Sequence, residues 1–254
     1  MERRDRIELF GAWIDRLTMD QAVSEAFRLA ALDGAHTIVT ANPELLERAR
    51  YDARLLPLIN SADIVLADGA GVVWASRRLG TALPERVTGI DFMNRLIERA
   101  AALGRSVFLL GSRPGVAERA AERLRSENPG LQVAGAMHGY FSASQEADVL
   151  DRIRETKPFM LFVGLGQPRQ EIWIGEHKDS LAVPLIMGVG GSMDVIAGDI
   201  KRAPEWMQKA GIEWLFRLVS QPGRARRHLV LPVFALRVLA EILERRSGTK
   251  GGFE

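Results

Sequence analysis

The sequence contains no cysteine, which excludes disulfide bridges, zinc–thiolate sites and a thiol nucleophile. It has four histidines, at positions 36, 138, 177 and 228, and their spacing matches no metal-binding motif. It also lacks a Walker A sequence, a Gly-x-Ser-x-Gly nucleophile elbow and a His-Glu-x-x-His pair. The sequence patterns of P-loop NTPases, α/β-hydrolases and zinc proteases are therefore missing.

Long hydrophobic runs are missing as well. No segment reaches the roughly 18 apolar residues that a membrane-spanning helix needs, and the start "MERRDRIELFGAWIDRL" has no apolar core of signal-peptide length. The 254 residues, 47% hydrophobic and 26% charged, are enough for one large domain or for a domain with an appendage. We expect a protein of the reducing cytoplasm, in agreement with the absence of cysteine.

Short apolar segments alternate with helical patterns along the first 200 residues. The predicted strands are "HTIVT", "DIVLA", "SVFLL", "LQVAGA", "FMLFVG" and "VPLIMG". One helix starts at Thr18, where "TMDQ" has the form of a capping box, and others cover "PELLERARYDARLLPLIN", "GIDFMNRLIERAAALG", "GVAERAAERLRSEN" and "SQEADVLDRIRET". The opening "RIELFGAWIDRLT" indicates a small hairpin. This alternation predicts an α/β fold with a mostly parallel, Rossmann-like sheet and helices on both faces.

The composition changes near residue 200, so we divide the chain into a core, 1–199, and a helical appendage, 200–254. From Lys201 onward there are 11 Lys and Arg against 5 Asp and Glu, whereas the core is slightly acidic. A basic appendage suits an anionic partner such as a membrane surface, a diphosphate or nucleic acid; a solvated helical face is the alternative. Its last predicted helix, from about Pro232 to Arg246, carries Leu236, Leu239, Ala240 and Leu243 on one face and Arg237, Glu241 and Arg245 on another.

Apolar residues of the appendage include Trp214, Phe216, Leu229, Leu231 and Phe234. They would suit an element lying in a membrane interface. The alternative is that they pack on the core or on a second subunit, which would make the protein a homo-oligomer.

Several predicted strands run directly into glycine-containing turns. The turns are "FLLGSRPG" with Gly111, "FVGLGQPRQ" with Gly164 and Gly166, and "IMGVGGSMD" with Gly190 and Gly191. Ligands of parallel sheets bind beyond the carboxyl ends of the strands, and glycine lets an anion approach backbone N–H groups closely. Together the turns predict a phosphate-bearing ligand such as a nucleotide. A dinucleotide fingerprint is incomplete, because Arg169 stands where "GLGQPR" would need its third glycine.

The sequence has no Asp-x-Asp, the usual metal–diphosphate ligand pair of many sugar-nucleotide enzymes. If the ligand is a nucleotide diphosphate, we expect arginines and backbone N–H groups to balance its charge without metal. No other cofactor is expected.

Asp68 follows the strand "DIVLA", and Thr40 and Asn42 follow the preceding strand in "TANPE". Neighbouring parallel strands would bring these side chains to one edge of the sheet. Each also has a structural explanation: Asp68 is a suitable N-cap for a helix starting near Gly69, and Pro43 suits the first position of a helix capped from "TAN". Arg86 is either a surface arginine or a cation beside the same cleft.

At these residues the sequence resembles the WecG/TagA/CpsF family of bacterial glycosyltransferases. The resemblance runs from "IVTANPELL" through "SADIVLADGAGVVWASRRLGTALPERVTGIDF", "VFLLGSRPG", "FVGLGQPRQEIWI" and "GVGGSMDVIAGDIKRAPEWMQKAGIEWLFRLVSQPGR". It covers roughly residues 5–230. It implies inverting, metal-independent transfer of N-acetylmannosamine, or its uronic acid, from UDP to undecaprenyl-diphosphate-linked N-acetylglucosamine, at the cytoplasmic face of the membrane. The products of such enzymes enter teichoic acid linkage units or other surface polysaccharides.

The resemblance also implies roles for individual residues. The general base falls on Asp68, and its supporting polar residues are Thr40, Asn42, Arg86 and Gln170. The nucleotide pocket falls on Tyr140, Gly164, Gly166, Gln167, Gly190, Gly191 and Asp194. The appendage would close over the site with Arg217, Arg224 and Arg227, and Gly69 and Gly71 would keep side chains away from the acceptor.

One carboxylate is sufficient for inversion, since it takes the proton of the attacking hydroxyl. The partners expected are therefore a UDP-sugar, a lipid-diphosphate acceptor and an anionic membrane surface, with no nucleic acid. Two alternatives stay open: a dinucleotide-binding oxidoreductase, and a non-catalytic membrane adaptor of polysaccharide assembly.

Overall fold

The predicted strands follow one another in the predicted order, and helices lie between them. The structure, a computed structural model, describes residues 5–220 and 230–246. The strands are β1 Arg6–Leu9, β2 Ala12–Asp15, β3 His36–Ala41, β4 Ile64–Ala67, β5 Ser106–Gly111, β6 Gln132–Met137, β7 Met160–Gly164 and β8 Leu185–Gly188. The core helices are α1 Met19–Leu29, α2 Pro43–Arg48, α3 Leu55–Ser61, α4 Ala70–Arg78, α5 Gly89–Ala102, α6 Val116–Glu127, α7 Glu146–Thr156 with a preceding 3₁₀ turn Ala143–Gln145, α8 Arg169–Leu181 and α9 Ser192–Ile196. The appendage contributes α10 Glu205–Lys209, α11 Glu213–Ser220 and α12 Val230–Arg246.

The main sheet has the strand order β4-β3-β8-β7-β5-β6, and all of its pairs are parallel. Successive residues of a strand point to opposite faces. In β4, Ile64 and Leu66 join the apolar cluster under α1, α5 and α6, whereas Val65 and Ala67 join the cluster under α2, α3 and α4. A third cluster lies under α7 and α8. The predicted α/β fold with helices on both faces is thus confirmed.

The hairpin and the first helix also follow the prediction. β1 and β2 pair antiparallel around Gly11, whose φ of +85° lies in the left-handed region that glycine tolerates. Thr18 and Gln21 form the complete capping box that starts α1.

The helix predicted from "PELLERARYDARLLPLIN" is wrong, because the segment forms two helices, α2 and α3, with a turn between them. In that turn the Arg54 N–H and guanidinium both donate to Asp52. These hydrogen bonds hold the pKa of Asp52 at about 2. A side chain that accepts from nearby backbone N–H groups competes with helical hydrogen bonding. Asp52 is therefore the residue whose side chain indicates the end of one helix and the start of the next.

The last helix, α12, packs on α2 and α4. Phe234 and Val238, one turn apart, are buried, and Phe234 meets Phe10 edge to face at 5.5 Å. Arg237 donates to the buried Glu47 at 3.1 Å. The expectation that Phe234 would lie in a membrane interface is therefore wrong, and packing on the core is the correct alternative for this residue.

The predicted apolar face of α12 points away from the core. Leu236, Leu239 and Leu243 are 67%, 48% and 65% exposed. Glu241 and Arg245 form the expected i,i+4 ion pair at 3.1 Å, although Arg237 binds the core instead. Leu229 lies outside the described residues. Within 5–220 and 230–246, no helix combines the length and apolarity needed to cross a membrane.

Candidate active site

One large cleft, of about 960 Å³, lies beyond the carboxyl ends of the parallel strands. Residues that follow all six strands of the main sheet line it, from Thr40 and Asp68 at one end to Tyr140 at the other. The appendage forms the remaining wall with Trp214 of α11 and Leu231 of α12. This is the position where open parallel sheets bind their ligands.

Thr40 and Asp68 meet at one end of the cleft, as the strand pattern predicted. β3 and β4 are neighbours, and the Asp68 N–H donates to the Ala41 carbonyl at 2.8 Å, extending their pairing. Gly89, the first residue of α5, faces both side chains. A methyl group on Gly89 would lie 3.4 Å from Thr40 Oγ1 and 3.5 Å from Asp68 Oδ2. A hydroxyl and a carboxylate therefore flank the same small space.

Asp68 is not the N-cap of α4, so this structural explanation of the residue is wrong. The N-cap is Gly69, which has no side chain to donate or accept, and the helix begins at Ala70. Gly69 has a φ of +92°, which accounts for glycine at this position by backbone conformation alone. At Gly71 an added Cβ would lie 2.9 Å from Pro43 Cγ, so tight packing of α4 against α2 excludes a side chain there. Asp68 extends past β4 with a carboxylate that lines the cleft.

Asn42 both caps a helix and reaches into the cleft. Its Oδ1 accepts from the Leu45 N–H at 2.9 Å, and Pro43 occupies the first position of α2, as predicted. Its Nδ2 donates to Gln167 Oε1 at 2.9 Å. Asn42 therefore links the end of the cleft that contains Thr40 and Asp68 to the "GLGQPRQ" loop.

Arg86 lies in the cleft wall beside the end of β4, where the next residue, Val87, donates its N–H to the Ala67 carbonyl. Its positive charge contributes to lowering the pKa of Asp91. Of the two interpretations of Arg86, the structure favours the cation beside the cleft.

The glycine turns pack backbone against backbone. A Cβ on Gly111 would lie 2.5 Å from the Gly164 carbonyl oxygen, and one on Gly164 would lie 2.9 Å from the Gly190 carbonyl oxygen. No real Cβ fits at these distances, so the ends of β5, β7 and β8 require glycine in order to approach one another. Gly164, Gly166, Gly190 and Gly191 line the cleft, whereas Gly111 packs against Gly164 and is not part of the lining.

The remaining predicted nucleotide residues lie around these turns. Tyr140 is 68% exposed at the rim. Asp194, nearly buried in α9, accepts a 2.8 Å hydrogen bond from Ser112 Oγ. Ser112 has a φ of +57°, a conformation that is uncommon outside glycine and that concentrates at functional sites.

Gln170 is buried, and its side-chain amide is hydrogen-bonded to the Gly190 turn. Its Oε1 accepts from the Gly190 N–H at 3.0 Å, and its Nε2 donates to Glu171 Oε1 at 2.9 Å. The structure thus connects Gln170 to the turn after β8, whereas Thr40 and Asp68 lie together at the ends of β3 and β4.

Of the appendage arginines predicted to close over the site, Arg217 alone lies within the described residues. Arg217 belongs to α11, whose residues Glu213 and Trp214 line the cleft. Arg224 and Arg227 lie outside the described residues. Their predicted contact with the leaving diphosphate stays a prediction.

Sequence reasoning missed an ion pair in the cleft wall. Arg202 donates to both oxygens of Asp91 at 2.7 Å, and Thr88 donates to the same carboxylate. Burial raises the pKa of Asp91, but these hydrogen bonds outweigh burial and the pKa is lowered. Asp91 in the first turn of α5 is an ordinary helix-start acid by sequence. Its partner is 111 residues away, so no local signal identifies the pair.

Charged side chains of both signs line the cleft, and the carboxylates are those of Glu44, Asp68, Asp194 and Glu213. Arg86, Arg113, Arg169, Lys201 and Arg202 contribute the positive charge. Among the described residues, no group of three or more His, Asp or Glu side chains is arranged to hold a metal ion. The arrangement suits binding of an anion along the glycine turns, beside a carboxylate that can accept a proton.

Comparison with known proteins finds relatives that match most of the chain. The model of the family described as "Glycosyl transferase WecG/TagA/CpsF family" matches residues 7–248. The N-acetylglucosaminyldiphosphoundecaprenol N-acetyl-beta-D-mannosaminyltransferase of Staphylococcus aureus (strain MW2) is 37% identical over 235 residues, which are 92% of this chain and 92% of the relative. The protein of the same name from Bacillus spizizenii is 37% identical over 202 residues, 80% of this chain and 78% of the relative. The similarity therefore spans the core and most of the appendage.

Proposed function

The chain belongs to the WecG/TagA/CpsF family of glycosyltransferases, and we propose that it transfers N-acetylmannosamine, or its uronic acid, from UDP to undecaprenyl-diphosphate-linked N-acetylglucosamine. The observation that carries this proposal is the joint position of Thr40 and Asp68 at one end of a cleft whose floor consists of glycine turns. The family match does not favour an oxidoreductase or a non-catalytic adaptor.

The donor lies over the glycine turns in this proposal. The glycine turns after β7 and β8 let the diphosphate approach the backbone closely, and cleft cations such as Lys201 and Arg113 add positive charge. Asp194 and Tyr140 hold the nucleoside. Without metal, the charge that develops on the departing UDP is stabilised by these fixed donors, together with the appendage arginines.

The acceptor approaches from the Asp68 end. Asp68 removes the proton of the attacking sugar hydroxyl while that oxygen bonds to the anomeric carbon of the donor. The bond from that carbon to the UDP oxygen breaks on the opposite side, so the configuration inverts and UDP leaves with the bonding electrons. Thr40 and Arg86 orient the acceptor and the donor sugar around this carboxylate.

The lipid end of the acceptor leaves the cleft beside the appendage. Leu231 and Trp214 line that wall, and Leu236, Leu239 and Leu243 of α12 are exposed to solvent. We propose that this leucine face, Leu236, Leu239 and Leu243, rests on the inner face of the cell membrane with the basic residues of the appendage against anionic lipid. A peripheral location then presents the cleft to its lipid-linked substrate.

One assay tests the proposal. Purified protein is incubated with a panel of UDP-sugars and a soluble lipid-diphosphate-N-acetylglucosamine analogue, with EDTA present, and UDP release is measured. We expect release that depends on both UDP-N-acetylmannosamine, or its uronic acid, and the acceptor. Release without acceptor, or no release with any UDP-sugar, would overturn the proposed reaction, and activity only after metal is restored would overturn its metal independence.

A further inference from the structure

A buried carboxyl group lies beneath the donor half of the cleft. Glu171, in the first turn of α8, is 6% exposed, and its Oε1 accepts from the Gln170 amide at 2.9 Å. Burial raises the pKa of this carboxyl, while the amides of Gln170 and Gln167 act in the opposite direction. Burial of a carboxyl group lowers the stability of the fold unless hydrogen bonds to the group compensate for the water it loses.

Glu171 determines the orientation of the Gln170 amide. The amide nitrogen faces the carboxyl group, so the amide oxygen faces the Gly190 N–H and accepts from it at 3.0 Å. The same amide packs closely on Gly188 of β8, since a Cβ there would be 2.7 Å from Gln170 Nε2. Gln170 therefore has little room to take another position.

The Gly190 turn lines the cleft and packs against the turn that contains Gly164. The Gly190 carbonyl oxygen is the group that approaches Gly164 closely, and Gly164 in turn approaches Gly111. A displacement of the Gly190 N–H would therefore be transmitted to the turns that face the donor.

We propose that Glu171 is a positioning residue for the donor: through the Gln170 amide it holds the Gly190 N–H and the adjoining glycine turns in the arrangement that binds the nucleoside diphosphate. This inference rests on the proposed function, since it assigns the donor to the glycine turns. Thr40 and Asp68 belong to the ends of β3 and β4, whereas Gln170 bonds to the turn after β8, so loss of Glu171 should affect donor binding more than the chemical step.

Two substitutions test whether Glu171 acts as the hydrogen-bond acceptor of the Gln170 amide or only fills space. Glu171→Leu keeps the size but leaves the buried Gln170 nitrogen without an acceptor, which costs as much as an unmade buried hydrogen bond. Glu171→Gln keeps a carbonyl oxygen for Gln170. A cavity of about 90 Å³ lined by Glu171 gives room to hydrate the added nitrogen.

UDP binding is measured by calorimetry, and UDP release is measured with donor and acceptor varied separately. For Glu171→Leu we expect the Kd for UDP and the KM for the donor to rise about tenfold, with the acceptor KM and the kcat at saturating donor near wild type. Glu171→Gln should restore donor binding to near the wild-type value.

Glu146→Leu is the matched control. Glu146 accepts from the indole N–H of Trp173 on the same helix, α8, at 2.9 Å, so this variant also leaves a buried donor on α8 unpaired. Its Tm should fall without a change in donor KM. Unchanged donor binding in Glu171→Leu, or an equal rise in Glu146→Leu, would overturn the inference. A wild-type protein that binds UDP but transfers no sugar would instead count against the proposed function alone.

Discussion

Arg202 and Asp91 form a two-pronged ion pair across the boundary at which we divide the sequence. Arg202 is the third residue of the predicted appendage, and Asp91 lies in α5 of the core. Both of their hydrogen bonds measure 2.7 Å, and the charge of Asp68 contributes to raising the pKa of Arg202. The pair fixes the start of the appendage beside the predicted base.

Asp91→Asn tests the contribution of this pair through its pH dependence. The pKa of Asp91 is lowered on folding, so its contribution to stability is present above the unfolded pKa of about 3.9 and is lost as the pH falls through the folded value. We expect the variant to be less stable at pH 7 by about 1 kcal/mol or less. The Asp91 side chain is 39% exposed, and solvent therefore screens its ion pair. Urea unfolding from pH 7 to pH 3 should show the difference shrinking in acid. A difference that stays constant would show that the charge of Asp91 contributes nothing.

Glu171→Gln should show the opposite trend. The pKa of Glu171 is raised by burial, so its favourable contribution is complete below the unfolded pKa of about 4.3 and is lost as the pH rises through the folded value. We therefore expect the variant to become more stable relative to wild type as the pH rises from 4 to 8. The same urea series measures this trend, and a relative stability that falls with pH would contradict the assignment of a raised pKa.

Asp68→Asn tests the general base. The amide keeps the shape of the side chain but cannot take a proton, so turnover at saturating substrates should fall on the order of 10² to 10⁴-fold. The Tm and the Kd for UDP should stay at their wild-type values, since Asp68 lies away from the glycine turns. A rate near wild type with saturating acceptor would show that another group removes the proton.

Gly89→Ala tests the space between Thr40 and Asp68. The added methyl group would make ordinary van der Waals contacts of 3.4 and 3.5 Å, so the fold should tolerate it, and alanine favours the helix over glycine. The methyl group occupies the gap that the acceptor hydroxyl must enter. We expect an unchanged or higher Tm and an acceptor KM raised about tenfold, that is, by about 1.4 kcal/mol. Steady-state kinetics with the acceptor varied would measure the effect, and unchanged kinetics would place the acceptor elsewhere.

Leu236→Glu combined with Leu243→Glu tests the leucine face of α12. Both side chains are more than 60% exposed, so the free energy of unfolding should change by no more than about 0.5 kcal/mol. Sedimentation of the protein with anionic liposomes should fall. Leu103→Glu is the control: Leu103 is 55% exposed just before β5, at the opposite edge of the sheet from the cleft. If both proteins bind liposomes equally, the leucine face is not the membrane contact. Loss of a dimer in the double variant, with liposome binding retained, would assign the face to a second subunit.

Features that depend on neighbouring residues could be read from the sequence. Every strand of the main sheet was predicted within two residues, and so were the Thr18 capping box and the Asn42–Pro43 helix start. Apolar periodicity and capping act over a few positions, so the printed order of residues contains them. The meeting of Thr40 and Asp68 also followed, because parallel strands end at one edge of a sheet.

The sequence by itself determined the α/β alternation, the glycine turns and the absence of thiol chemistry. The tertiary structure decided which of two apolar stripes of α12 meets the core: Phe234 and Val238 are buried, while Leu236, Leu239 and Leu243 face outward. It also brought Arg202 to Asp91 and set Glu171 under Gln170 and Gly190. Both stripes are apolar in sequence, so the sequence does not show which one is buried. Arg202 and Asp91 are far apart in the chain, and Gly190 lies many residues after Glu171. Only the packing of the whole chain decides which apolar surface loses contact with water and which charges meet.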